Sequence, residues 1–397
     1  MFRIALKMLI GDRVKYTGLL LGIAFTAFLV TFAVSYFCGF MTRGLALVSE
    51  NDADVWVMDA AVLSSEQTTN LPDHALPRVR GVRGVASALP LALGSADVVF
   101  ANGRVQPFQI IGVDDATLSG VPAIRGDSSP GILRAPDAVL VDSGGTQGKL
   151  QTPVSATDQW PHDGAHLDVP MRTLIAGDEL LANDKRIKVV GIGQALPRFP
   201  PRPLIYTTYT NAARMLLPER KRLTFVLVKA ANGISPQQLA RRIHEQTGLR
   251  ARTRAEFMED TVRWYLVNSE DVGDMAAMIY LAMAVGFGMT GVMLYMFTHE
   301  SLKQYAVLKA MGATPGLLII MIFTQAGLCA LIGTGLGLGV CAIVGEAAVQ
   351  WAQFPFRMLW FTPLFGGLMV ILVSVVAAMA SVRPVLKLDP AVVFAGR

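Results

Sequence analysis

The chain has 397 residues, of which 52% are hydrophobic and only 16% are charged, a composition too apolar for a set of soluble domains. Its net charge of +5 does not indicate nucleic-acid binding, because residues 41–270 carry 25 Lys and Arg against 24 Asp and Glu. The composition therefore predicts a membrane protein in contact with lipid and without a nucleic-acid partner.

The N-terminal residues 1–16 alternate apolar and basic side chains. This alternation predicts a cytoplasmic amphipathic segment that lies at the inner membrane interface. An unstructured, positively charged flank is the alternative.

Four runs of the sequence contain no Asp, Glu, Lys, Arg or His, and each exceeds the ~20 residues that a helix needs to cross a bilayer. We therefore predict four transmembrane helices, at residues 17–42, 275–298, 315–345 and 362–382, with a short outer loop at 346–361. Basic residues flank these runs in the segments 1–16, 299–314 and 383–397. The positive-inside rule places these three segments, and so both termini, in the cytoplasm.

The long segment between the first two runs, residues 43–274, has a different composition and shorter alternations. Its apolar and polar patterns predict strands at 54–59, 138–142, 187–192 and 223–229. Asn102–Gly103 predicts a type I′ hairpin turn, and Ser235–Pro236 and Thr247–Gly248 would begin and end a helix. We expect a large α+β periplasmic domain, inserted between transmembrane helices 1 and 2.

The positions of the cysteines and of the irregular residues predict two further features of this domain. All three cysteines lie inside the apolar runs, so no disulfide is expected in the domain. Residues 112–173 are the least regular and are expected to form a second lobe or a long insertion.

Residues 255–274 run toward the second apolar run without a proline, and they include Trp264 and Tyr265. This pattern predicts a stalk helix that continues from the periplasmic domain into the membrane and would transmit displacement rigidly. An interfacial helix anchored by Trp264 and Tyr265 is the alternative.

Glycines recur in the third apolar run, at Gly333, Gly335, Gly337 and Gly339. They form two overlapping pairs of small residues four apart, a spacing that lets another helix approach closely. General enrichment of glycine in membrane helices is the alternative reading of this pattern.

The charged segment 299–314 separates the second and third runs and contains its own stop and restart signals. Gly312 is placed to end a short helix from about Glu300 to Met311. Thr314 and Pro315 supply an N-cap and a first-turn proline for the next helix. A short helix, a sharp corner and a long membrane helix are therefore expected.

Nucleotide and metal chemistry find little support in the sequence. Residues 144–150 lack the spacing and the Ser or Thr of a phosphate-binding loop, so this chain is expected to bind no ATP of its own. His162 and His166 are four apart, but Pro161 and Gly164 disfavour the helix that a metal pair at this spacing needs. We predict no catalytic residues, no metal site and no enzyme activity. Without ionisable groups in the membrane runs, energy for movement must come from a partner.

Three segments together resemble the MacB/FtsX-like permeases of ABC transporters: residues 305–313 (YAVLKAMGA), 386–394 (LKLDPAVVF) and 11–25 (GDRVKYTGLLLGIAF). The resemblance covers essentially the whole chain in layout. The form Tyr-Ala-Val-Leu-Lys is most similar to the DevC branch, which is linked with adaptor-coupled glycolipid export.

The resemblance implies that segment 299–314 is a coupling helix that docks on a cytoplasmic ATPase. It assigns this role to seven residues: Glu300, Lys303, Gln304, Tyr305, Leu308, Lys309 and Gly312. The charged side chains would orient docking, while Tyr305 and Leu308 would fill a groove on the ATPase. Gln304 stands where the family usually has an acidic residue, and Ser301 where it often has Arg. An ordinary cytoplasmic loop is the alternative.

As a function, the resemblance implies the permease subunit of an exporter in a bacterial inner membrane, a homodimer with a separate ABC ATPase that holds the ATP and Mg²⁺. The implied cargo is a lipid, a glycolipid or another amphiphile, moved with a periplasmic adaptor and an outer-membrane channel. Efflux of a drug, peptide or haem is one alternative. A regulator of cell-wall enzymes that transmits force without transport is another.

Overall fold

The computed structural model describes residues 13–72, 74–126, 129–216 and 223–386, which divide into two compact units. We call residues 1–40 with 270–397 the membrane unit, and residues 41–269 the outer domain. Most of the predicted amphipathic segment 1–16 and of the tail 383–397 lies outside the described residues.

The described helices are, in chain order, α1 (Arg13–Gly44), α2 (Ala46–Glu50), α3 (Ala75–Arg80), α4 (Tyr209–Met215), α5 (Pro236–Thr247), α6 (Arg254–Asn268), α7 (Glu270–Glu300), α8 (Leu302–Ala310), α9 (Pro315–Ala352) and α10 (Phe361–Leu386). The strands are β1 (Val55–Met58), β2 (Val85–Val99), β3 (Val105–Val113), β4 (Ala138–Asp142), β5 (Gln151–Pro153), β6 (Met171–Thr173), β7 (Glu179–Ala182), β8 (Lys185–Ile192), β9 (Leu204–Thr208), β10 (Phe225–Ala230) and β11 (Arg250–Thr253).

Four of these helices, α1, α7, α9 and α10, are long and apolar enough to span a bilayer, and the outer domain lies in the chain between α1 and α7. This confirms the predicted fold class. Each helix extends past its uncharged run, because a helix needs hydrogen bonds rather than apolar residues to continue. α9, for example, contains 38 residues and ends after Trp351.

The described residues of the membrane unit form one apolar core, made by Leu19 and Ile23 of α1 together with residues of α7, α8, α9 and α10. A polar contact also joins α1 to α7. The Thr26 hydroxyl lies 2.8 Å from the Thr290 hydroxyl and 3.1 Å from the Gly286 carbonyl oxygen. A side chain on Gly286 would meet Thr26 Cγ2 at 2.5 Å, so this close approach requires glycine.

The outer domain is built on a nine-stranded sheet in the order β11-β1-β10-β2-β3-β9-β4-β8-β7. The end of the long strand β2 also pairs with β7, through Val98 to Ala182 and Val99 to Leu181. The six strands β2, β3, β9, β4, β8 and β7, in this order, therefore close into a barrel. The closure removes two sheet edges, because β7 and the end of β2 pair with each other.

Residues 112–173, expected to form a second lobe or a long insertion, contain β4 and the two-stranded sheet of β5 and β6, within the same compact unit as the barrel. Most of them therefore form an insertion between strands of the barrel, the second of the two alternatives, rather than a second lobe.

The predicted hairpin joins β2 and β3, but its turn differs from the predicted type. Gly103 has a positive φ of 78°, whereas Asn102 is not among the residues of positive φ, so the type I′ assignment is wrong. Asn102 is instead buried, and its side-chain amide donates to the His166 carbonyl oxygen at 2.9 Å. This hydrogen bond to a distant loop determines the turn and could not be anticipated from the dipeptide.

Candidate functional site

The candidate site is the segment between α7 and α9, and its first helix begins later than predicted. α7 continues through Glu300, because the Ser301 N–H still donates to the Phe297 carbonyl oxygen at 3.2 Å. Ser301 then adopts φ −85° and ψ 2°, and α8 runs from Leu302 to Ala310. Glu300 therefore belongs to the last turn of the membrane helix and not to the predicted coupling helix.

The corner after α8 is a Schellman motif centred on Gly312. Gly312 has φ +94°, its N–H donates to the Lys309 carbonyl oxygen at 3.1 Å, and the Ala313 N–H donates to the Leu308 carbonyl oxygen at 3.0 Å. The predicted helix end at Gly312 is confirmed. Thr314 has the extended backbone of an N-cap and Pro315 follows it, although the Thr314 side chain makes no capping hydrogen bond.

Tyr305 does not lie where the resemblance implied. Its side chain is fully buried in the core of the membrane unit, and its hydroxyl donates to Gln325 Oε1 of α9 at 2.7 Å. Burial raises the pKa of Tyr305, partly offset by the hydrogen bond with Gln325. Tyr305 therefore fixes α8 to α9 and cannot fill a groove on another protein while α8 stays packed.

The exposed face of α8 is formed by other residues. Lys303, Gln304, Val307 and Met311 are exposed, and Val307 and Met311 are 44% and 71% accessible. Lys303, Val307 and Met311 are spaced four apart, so they lie on one side of the helix. We call these three side chains the α8 face.

The remaining predicted coupling residues divide between the surface and the core. Glu300 is exposed, Lys309 is half-buried, and Leu308 packs against the core of the membrane unit. Sequence reasoning missed Val307 and Met311 because the groove-filling role was assigned to Tyr305 and Leu308 by the family resemblance, without knowledge of which side of the helix is buried. The signal that could have found them is the spacing of four between Lys303 and Val307 and again between Val307 and Met311.

The four predicted packing glycines face two directions. A side chain on Gly333 would meet Ile23 Cγ2 of α1 at 2.7 Å, and one on Gly337 would meet Ala27 Cβ at the same distance. Gly335 and Gly339 have no such neighbour within 4 Å. Among the described residues, the pair Gly333 and Gly337 therefore lies at a helix contact, and the pair Gly335 and Gly339 does not.

The prediction of one continuous stalk helix is wrong, because the helix is interrupted at one residue. α6 ends at Asn268, Ser269 is extended with φ −93° and ψ 121°, and α7 begins at Glu270. Serine is a preferred N-cap, and Glu270 and Asp271 suit the positive N-terminus of a new helix. Tyr265 is buried in the outer domain and Trp264 half-buried, and the Tyr265 hydroxyl donates to the Phe199 carbonyl oxygen at 3.3 Å.

The outer domain contains a buried ionic cluster that the sequence did not reveal. Arg198, only 2% exposed, places Nη2 2.5 Å from Glu50 Oε2 of α2 and donates to the Tyr206 hydroxyl at 2.8 Å. Tyr206 in turn donates to Glu50 at 3.1 Å. These contacts fix the proline-rich loop 194–203 to α2.

Two further carboxylates lie beside this cluster. Glu66 pairs with Arg202 of the same loop, yet burial raises the pKa of Glu66 more than Arg202 and Arg198 lower it. Asp142 accepts N–H groups of Gly144 and Ala195 at 2.7 and 3.0 Å, and burial likewise raises its pKa. The cluster is a structural element of the outer domain whose stability should depend on pH.

One of the two histidines considered for metal binding, His166, has contacts with carboxylates. His166 lies 3.0 Å from Asp163 and 3.6 Å from Asp158. Among the described residues, no three His, Cys, Asp or Glu side chains are grouped as a metal site requires.

Four membrane-length helices with a large α+β domain between the first two define a multi-pass membrane protein with an extracytoplasmic domain. The family profile of the MacB-like periplasmic core domain matches residues 18–246, and that of the FtsX-like permease C-terminal domain matches residues 276–390. The chain belongs to the MacB/FtsX-like family of ABC transporter permeases, which confirms the resemblance drawn from the sequence.

Similar proteins include two uncharacterized ABC transporter permeases of Mycobacterium tuberculosis strain H37Rv. Rv0072 is 22% identical over 363 residues, which cover 90% of this chain and 89% of the relative. Rv2563 is 22% identical over 335 residues, which cover 80% of this chain and 89% of the relative. Permeases of ABC transporters work with an ATPase, so membership of the family implies such a partner in general.

Solved structures of two outer domains are also similar to this chain. The periplasmic region of MacB from Actinobacillus actinomycetemcomitans is 11% identical, with a TM-score of 0.36, and the match covers 56% of this chain and 96% of that structure. The extracellular domain of the transporter YknZ from Gram-positive bacteria is 12% identical, with a TM-score of 0.31, and the match covers 51% of this chain and 98% of that structure.

Proposed function

We propose that this permease is driven by a separate cytoplasmic ABC ATPase that docks on the α8 face. The observation that supports this most is the two-sided character of α8. Tyr305 and Ala306 are buried against the membrane unit, whereas Lys303, Val307 and Met311 are exposed. Apolar side chains beside a positive charge suit a groove with an acidic rim.

The same helix is built to pass on a displacement. Its N-terminal side follows α7 after one turn residue, its C-terminal side meets α9 through the Gly312 corner, and Tyr305 holds it to Gln325. α9 in turn contacts α1 at Gly333 and Gly337, where there is no space for a side chain. Closely packed elements move together because interiors are incompressible. Movement of α8 would therefore reach α9 and α1.

The finer features of the proposal follow the family resemblance and the charge distribution. The chain would act as a homodimer in a bacterial inner membrane, with both termini in the cytoplasm and ATP and Mg²⁺ held by the partner. Its outer domain would expel a lipid, a glycolipid or another amphiphile, as in the DevC branch, through a periplasmic adaptor and an outer-membrane channel. Lipid cargo suits a chain with no ionisable residue in its membrane runs.

Purification of the tagged full-length chain from membranes of its own host tests the docking proposal. Mass spectrometry should identify an ABC ATPase in the preparation, and the double substitution Val307→Asp with Met311→Asp should remove it. Val154 of the outer domain is 58% exposed, so Val154→Asp is a matched control that should retain the ATPase. If the double variant co-purified with as much ATPase as the wild type does, the α8 face would not be the docking surface.

A further inference from the structure

A cavity of about 490 Å³ opens between α9 and α10 in the membrane unit. Small residues make room for it, with Gly327, Ala330 and Gly335 on α9 and Gly367 on α10. Its volume lies within the range of about 300–1,000 Å³ that is typical of ligand pockets. No charged residue lines it, so a charged headgroup is excluded as its occupant.

Two residues of the cavity lining have hydroxyl oxygens that lack hydrogen-bond partners. Thr334 Oγ1 and Ser374 Oγ are both buried atoms without a partner, and Ser374 as a residue is only 3% exposed. Unpaired hydroxyls are costly in hydrocarbon, where water cannot satisfy them. A ligand in the cavity that accepts a hydrogen bond would remove this cost once rotation about χ1 turns one of these hydroxyls toward it.

Other hydroxyls in the membrane unit do form hydrogen bonds, so the lack of a partner is not general. Four of them donate to the carbonyl oxygen four residues earlier, over distances of 2.7–2.9 Å: Thr26, Thr298, Thr324 and Ser381. Thr31 and Ser35 of α1 also lack partners, but they do not line this cavity. Thr334 and Ser374 are thus the cavity-lining hydroxyls that remain available as donors.

We propose that this cavity binds one acyl chain of a membrane phospholipid, with its ester carbonyl accepting a hydrogen bond from Ser374 or Thr334. The apolar lining suits the chain, and a neutral carbonyl is an acceptor that brings no charge. A helix from a second copy is a poorer occupant, because its backbone carbonyls already accept bonds within the helix. The proposal goes beyond the docking function and does not depend on the ATPase.

The test uses the full-length chain in nanodiscs of natural phospholipid that contain phosphatidylcholine with a diazirine in one acyl chain. After photolysis, mass spectrometry of peptides should locate the label mainly on the cavity residues of α9 and α10. Gly335→Leu adds bulk to the cavity lining, and nothing lies within 4 Å of its added Cβ. It should reduce cavity labelling to the level of other lipid-facing positions. Gly339→Leu has equal space on the same helix outside the cavity and should leave labelling unchanged.

The hydroxyls are tested separately at a probe concentration below saturation. Loss of one membrane hydrogen bond should lower labelling of Ser374→Ala about threefold. Ser381→Ala, whose hydroxyl donates to Ala377 and lies outside the cavity, is the control and should not change. A diazirine alkane without a carbonyl should label the wild type and Ser374→Ala equally.

Three results would overturn the proposal. Labelling spread evenly over the lipid-facing helices would show that the cavity holds no preferred chain. Equal losses in Gly335→Leu and Gly339→Leu would show a general effect of bulk on α9. Efficient cross-linking of two copies through Gly335→Cys by a short bis-thiol reagent, with Cys38, Cys329 and Cys341 replaced by Ala, would show that a second chain covers the cavity. None of these results bears on ATPase docking.

Discussion

At the scale of single residues, Tyr305 shows how burial changes a role. The family resemblance assigned this side chain to contact with the partner ATPase. In the structure it is a fully buried link between α8 and Gln325. The sequence could not show this, because which side of a nine-residue helix is buried depends on how α9 packs behind it.

Removal of the Tyr305 hydroxyl should destabilise the membrane unit modestly. Tyr305→Phe keeps the packing but takes the donor from Gln325 Oε1, at a cost of about 1 kcal/mol. Tyr305→Ala should cost about 3–5 kcal/mol because it also leaves a cavity. Thermal unfolding of the purified chain in detergent measures both. If Tyr305→Ala were as stable as Tyr305→Phe, the side chain would not be packed in the core.

Glu66 should give the outer domain a specific dependence on pH. Because burial raises its folded pKa, its contribution to stability is complete below the ordinary pKa of about 4.3 and is lost as pH rises through the folded value. The melting temperature of the outer domain should therefore fall as pH rises from about 4.3.

Glu66→Gln supplies the comparison for this pH dependence. The amide oxygen can still accept from Arg202 but cannot titrate, so the fall should be shallower, with Asp142 accounting for part of the remainder. Melting temperatures of both proteins over the same pH series provide the measurement. If melting temperature fell equally with pH in the wild type and in Glu66→Gln, titration of Glu66 would be ruled out as a cause of the fall.

At the scale of elements, two glycines of the α8 to α9 corner, four residues apart, should respond differently to alanine. Gly312 has φ +94°, so Gly312→Ala should destabilise by about 1–2 kcal/mol through backbone strain, although nothing lies within 4 Å. Gly316 lies in the first turn of α9 with equal space and no positive φ. Gly316→Ala should be neutral or slightly stabilising. Equal unfolding temperatures for the two variants would contradict the Schellman assignment.

The contact between α9 and α1 has a similar matched pair. Gly337→Ala places a methyl group against Ala24 and Ala27 of α1 and should cost about 1–3 kcal/mol by overpacking. Gly339→Ala, two residues along the same helix, meets nothing and should be close to wild type. The difference in thermal unfolding between these variants measures the contact, and no difference would argue against it.

Elements were predictable where a local signal determines them. The corner at Gly312 and the helix α5, capped by Ser235 and ended by Gly248, follow from glycine and capping chemistry within a few residues. The break at Ser269 was missed because a single serine is a weak signal against a long stretch without proline. Which glycines of α9 meet α1 depends on the packing direction, which a spacing of four does not define.

At the scale of the whole molecule, the positions of the uncharged runs predicted four membrane helices and a large domain between the first two. Runs without charge are decisive for this, because a charged side chain in hydrocarbon is costly. The closure of the barrel was not predictable, because β2 pairs with β7 across more than 80 residues of chain. Such long-range pairing has no local sequence signal.

The central claim is that an ATPase acts on this permease through the α8 face. Hydrogen–deuterium exchange of the purified permease, with and without the co-purifying ATPase and ATP, tests it most directly. The ATPase should slow exchange in peptides covering residues 302–311, and ATP should then alter exchange in the outer domain. Both effects should be absent with Val307→Asp plus Met311→Asp and present with Val154→Asp. Unchanged exchange over residues 302–311 when the ATPase is bound would contradict the account.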